Sequence, residues 1–157
     1  MDDRKQLKDH VLELLRGKSA HIGLESAVKG FPPDQINNHV DGSPHTAWQL
    51  LEHIRIAQWD ILDFSRNADH VSPEWPEGYW PKGDGDAQEW KESVKQILED
   101  LRAMRDLVAD ENTDLFAKIP HGDGQTILRE AMLIADHNAY HVGQIMLLRR
   151  IFEAKHA

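Results

Sequence analysis

The chain of 157 residues has no cysteine, and 27 acidic against 18 basic side chains give a net charge of −9. That length suits one domain spanning 1–157 with a sizeable core, and 40% hydrophobic with 29% charged residues excludes a wholly disordered chain. The acid surplus argues against nucleic acid and anionic membranes as partners. The missing cysteine removes disulfides, thiol nucleophiles and cysteine-type metal centres.

The opening segment MDDRKQLKDHVLELL is acidic where a secretion signal would be basic. No apolar run approaches transmembrane length, so the expected location is the cytoplasm. The spacing of Leu7, Val11, Leu14 and Leu15 predicts a first helix over about Arg4–Arg16, stopped by Gly17. A short helix over Leu24–Lys29 ends at Gly30 and Pro32-Pro33. Ser43-Pro44 is a helix-start signal, and the pattern then runs to Arg66 with Leu50, His53, Ala57, Ile61 and Phe64 on one face.

Three prolines and three glycines break any helix between Ala68 and Gly85, yet this stretch holds Trp75, Tyr79 and Trp80. An aromatic irregular segment is expected to pack as a lid or pocket wall, or simply to adhere to the bundle. A third long helix covers Ala87–Ala109 with a purely apolar stripe, and a fourth covers Gln125–Glu153. These signals together predict an all-α four-helix bundle with a long irregular connection between its second and third long helices.

Ten histidines stand out. His137 and His141, four apart on one helix face, can turn both imidazoles to one ion. Composition alone yields ~0.6 such pairs by chance, so the pair by itself reads equally well as surface or hydrogen-bonded core histidine. Two facts narrow this. The pair lies on the apolar face between Ile134 and Ile145, where imidazole nitrogens need partners. His53 lies on the apolar face of a second helix, so three imidazoles from two helices suit a three-ligand site with an open position. Glu-x-x-His pairs, the mark of carboxylate di-iron bundles, are absent from both helices.

The segments Thr46–Ile54 (TAWQLLEHI) and Asp136–Gln144 (DHNAYHVGQ) resemble the DinB-like (YfiT-like) superfamily of bacterial four-helix-bundle metalloproteins. The resemblance implies His53, His137 and His141 as ligands of one divalent transition metal, nickel or zinc. It also implies a homodimer, and a small-molecule substrate with, in some relatives, a low-molecular-weight thiol as partner. The expected function is a metal-dependent hydrolase or small-thiol-dependent transferase. The alternative is a non-catalytic metal- or ligand-binding stress protein.

Around this cluster, Gln144 is placed to hydrogen-bond a ligand or bound water, or to stand on the rim. Glu130 is a candidate acceptor orienting an imidazole, against the plainer reading of a surface carboxylate. Trp48, five residues before His53, is expected beside the site, or else as a core or dimer-contact residue. His121 and His45, at helix-entry loops, are candidates for a fourth ligand or proton carrier, or for capping. His10, His21, His39, His70 and His156 look peripheral.

Overall fold

Three of the long helices begin where a side chain takes up their first unpaired N–H groups. The structure, a computed structural model, describes residues 3–155. Its helices are α1 (Asp3–Arg16), α2 (Leu24–Val28), α3 (Ala47–Arg66), α4 (Ala87–Ala109) and α5 (Ile127–Lys155), with short 3-10 turns at Pro33–Gln35 and Glu77–Tyr79. At α3 the cap is Thr46, not the expected Ser43-Pro44. Thr46 Oγ1 accepts from the Gln49 N–H at 3.2 Å, and Gln49 Oε1 accepts from the Thr46 N–H at 3.0 Å. This reciprocal pair satisfies two orphan donors at once, whereas the Ser43 hydroxyl donates to the His45 carbonyl. Asp86 and Glu89 make the same box at α4.

α5 starts two residues later than the spacing predicts. The Gln125 carbonyl is held by the Ile119 N–H at 2.8 Å, and Lys118 and Thr126 form a short antiparallel bridge, so Thr126 becomes the cap. The Leu24–Lys29 segment is helical only to Val28. No strand is present among the described residues, and none of their helices is long and apolar enough to cross a membrane.

α1, α3, α4 and α5 form the four-helix bundle that the sequence predicts. α3 packs on α4 and α5, and α1 packs on the same two helices. α1 and α3 are therefore diagonal, and the α3–α5 edge lies opposite the α1–α4 edge. The buried face of α3 centres on Leu50, Leu51, Ile54 and Leu62, because the helix is wedged between two neighbours and buries a wide stripe. Two apolar clusters fill the interior. One gathers α2, Phe31, Ile36, Trp90 and the C-terminal half of α5. The other gathers α1, Leu62, Met104, Val108 and the N-terminal half of α5. At their junction Asn138 donates to Gln58 Oε1 at 2.6 Å, and Gln58 donates to the Ile97 carbonyl at 2.7 Å.

The long connection between α3 and α4 is fastened to the bundle at several points. The Tyr79 hydroxyl donates to Asp60 at 2.7 Å, the Trp48 indole N–H donates to the Gly83 carbonyl at 2.9 Å, and the Asn37 amide pairs with the Gly85 backbone. Gly85 crosses the face of Trp48 so closely that a Cβ there would lie 2.4 Å from the indole ring. Only glycine lets the backbone pass.

Candidate metal centre

The α3–α5 edge brings His53 to the two histidines that stand one turn apart on α5. Ring centroids are 4.8 Å apart for His53–His137, 4.8 Å for His53–His141 and 4.5 Å for His137–His141. One nitrogen from each of the three lies within 4.8 Å of the others. His53 and His141 are buried and His137 is half-buried.

The rings are oriented from behind. His53 Nδ1 bonds the Tyr79 carbonyl at 2.9 Å, and His141 Nδ1 bonds the Gln144 side-chain oxygen at 2.6 Å. An oxygen acceptor fixes the proton on Nδ1, so the Nε2 lone pair of each ring faces forward. His53 Nε2 and His137 Nε2 stand 3.0 Å apart. His137 differs in one respect: its Nδ1 is buried with no hydrogen-bond partner among the described residues.

Electrostatics keeps the cluster neutral. Burial first, then the neighbouring His141 and His53, push His137 down to about 4. Burial also lowers His53 and His141 below the ordinary histidine value, against the raising effect of their oxygen partners. Neutral imidazoles with converging lone pairs are the state that binds a divalent ion. A tetrahedral site with Zn–N near 2.0–2.1 Å needs nitrogens about 3.3 Å apart. The 3.0 Å pair is slightly tighter than this and the 4.8 Å span is wider, so modest ring rotations bring the donor set to fit.

Trp80 stacks on His53 with ring centroids 4.1 Å apart and planes 6° from parallel, and His45 stacks on the same indole at 4.1 Å. Beside them lies a cavity of about 250 Å³. His45 and Gln144 border it on the polar side, with Val40, Leu50, Leu148 and Ile151 among its apolar walls.

The other residues singled out from sequence fall elsewhere. Glu130 is buried but pairs with Arg129 at 2.6 Å and makes no hydrogen bond to His137, because its side chain turns toward its neighbour on α5. Trp48 secures the connection at Gly83 and Gly85. His121 is exposed at the far end of α3 and bonds the Phe64 carbonyl at 2.7 Å. His156 lies outside the described residues. His70, expected to be peripheral, has a side chain only 3% exposed and is clamped between Asp60 and Asp63 at 2.7 Å each. The Tyr79 carbonyl behind His53 carries no sequence signal, since every residue has one.

Fold and site together define a four-helix bundle with three imidazoles gathered between two of its helices. The chain belongs to the DinB superfamily, whose family profile matches residues 22–145, a span that includes all three histidines. Neither curated proteins nor solved structures give a match.

Proposed function

We propose that His53, His137 and His141 hold one divalent transition metal ion, and that the protein is a metal-dependent enzyme acting on a small molecule. One observation carries the reading: separate oxygen acceptors hold Nδ1 of His53 and His141, which leaves the Nε2 of both rings free as donors, and one nitrogen of each of the three rings lies within 4.8 Å of the others. Without a cation, His137 spends its Nε2 proton on the His53 Nε2 lone pair at 3.0 Å, and its Nδ1 is left buried with no partner among the described residues.

Among the described residues three imidazoles converge with no carboxylate joining them, a donor set that leaves a fourth position for substrate and favours catalysis over a purely structural ion. A 250 Å³ cavity reaches the cluster through His45 and through Gln144, which bonds His141, and gives the body of a substrate room beside it. A bound ion would contribute Lewis acidity, lowering the pKa of a coordinated water or thiol toward neutrality. The chain's own part is to orient the rings through Tyr79 and Gln144, to cover His53 with Trp80, and to receive an apolar substrate group against Val40, Leu148 and Ile151. Hydrolysis and small-thiol-dependent transfer both fit this equipment. The thiol partner, like a homodimer, comes from the resemblance to the superfamily.

Elemental analysis of the untagged protein is expected to find close to one transition-metal ion per chain, and His137→Ala to abolish it. Equal metal content in the variant defeats the ligand set.

A further inference from the structure

A second cleft, of about 630 Å³, opens at the α1–α4 edge, across the bundle from the imidazoles. Arg16, Lys18, Arg102 and Arg105 line it. Such a concentration of cations is unexpected in a chain of charge −9.

The local acids do not neutralise it. Glu25 lies 3.9 Å from Lys18 at the exposed rim, and Glu13 accepts the Ser19 hydroxyl at 3.1 Å. No carboxylate pairs with Arg16, Arg102 or Arg105 among the described residues. The C-terminal dipole of α1 favours Arg16 in its last turn, but it says nothing of the two arginines one turn apart on α4. Arg105, half-buried, supplies the second observation: its Nε is shielded from solvent and has no hydrogen-bond partner among the described residues. A buried guanidinium N–H is ordinarily satisfied, so the fold leaves the charge of Arg105 unmatched beside the cleft that it lines.

We propose that this cleft binds a small organic phosphate or diphosphate. Guanidinium groups engage phosphate oxygens in pairs, and three of them with an ammonium group exceed what one carboxylate would need. Leu98 and Leu101 lie among the cations and give the organic body an apolar floor. Glu13 and Glu25 at the rim, and the acidic charge of the whole chain, repel an extended polyanion such as a nucleic acid. The cleft is larger than a bare ion needs and falls in the range of small-molecule sites.

Calorimetric titration of the full chain with inorganic pyrophosphate at low salt tests this. Arg105→Gln is expected to weaken binding about tenfold or more, Arg102→Gln to weaken it severalfold, and added salt to weaken it throughout. Arg102 is exposed, so its variant tests the cleft even if Arg105→Gln does not fold, as judged by circular dichroism. His137→Ala is expected to leave the affinity unchanged, which separates this cleft from an ion held by the imidazoles. Absence of pyrophosphate binding at millimolar concentration, indifference to the arginine substitutions, or loss of binding in His137→Ala would each overturn the proposal.

Discussion

Two places where α3 holds histidine treat the same side chain in opposite ways. At His53 the neighbours are two more imidazoles, an indole face and a backbone carbonyl, and burial drives the ring toward its neutral form. Little more than two turns along the helix, Asp60 and Asp63 grip His70 by both ring nitrogens. A neutral imidazole has one N–H and can donate to only one of them, so two 2.7 Å contacts to carboxylates call for imidazolium. Burial on its own would lower His70, but the hydrogen bonds it donates to Asp63 and Asp60 outweigh it and raise the value. Burial therefore does not set the state of a histidine until its partners are counted.

The two settings are joined through Tyr79. Its hydroxyl donates to Asp60, and burial together with that carboxylate pushes the phenol up to about 12, so it remains a donor. Its carbonyl accepts from His53. The cage thus anchors the connection that orients the first imidazole of the cluster. The sharpest way to break the comparison is to remove each ring in turn from chelated protein. His70→Ala leaves two carboxylates facing each other without their donor and is expected to cost about 2–3 kcal/mol in urea denaturation. His137→Ala removes a ring that lacks a partner on one nitrogen and makes a single neutral hydrogen bond, to His53, on the other, and it is expected to cost less. The reverse order would mean that the cage is not an ion pair.

A smaller effect sharpens the other side. Trp80→Ala uncovers His53 without touching a candidate ligand. It is expected to weaken metal binding about tenfold, the usual scale for groups that orient ligands, while the stability difference caused by His70→Ala stays the same. Competition with a chromophoric chelator measures the first and urea titration the second. Unchanged metal affinity would reduce Trp80 to a loop anchor.

How far each region could be read from sequence follows the same division. His53, His137 and His141 announce themselves because helical periodicity puts them on apolar faces, where an imidazole needs a reason. The bundle is legible on the same grounds, since each long helix carries a stripe at constant spacing. The cage is not legible. His70 follows α3 in a segment without periodicity, so nothing in the sequence turns it back onto Asp60 and Asp63. The Thr46 cap is hidden by competition, because Ser43-Pro44 is an equally good start signal and only the reciprocal bond with Gln49 decides. Glu130 fails as an orienting group for a related reason: seven residues of helical spacing put it on the right side of α5, but Arg129 captures its carboxylate.

The smallest effect is the pH dependence of the cage, and its sign discriminates best. His70 has a folded value above its unfolded 6.5, so its contribution to stability is complete below that pH and is lost as pH rises through the folded value. Asp63, held low by its hydrogen bond to His70, contributes above 3.8 and loses that contribution as pH falls through its folded value. The imidazole cluster has the opposite slope, because rings with lowered values oppose folding as acid protonates them. Total stability therefore blends the two, and a difference measurement separates them. In chelated protein the stability gap between wild type and His70→Gln is expected to be widest near pH 5–6 and to shrink toward pH 9. The gap should narrow by only part of the cost of deleting the ring, since the neutral imidazole keeps one of its two bonds. A gap that is flat or widens with pH would show His70 neutral in the fold and remove the contrast with His53.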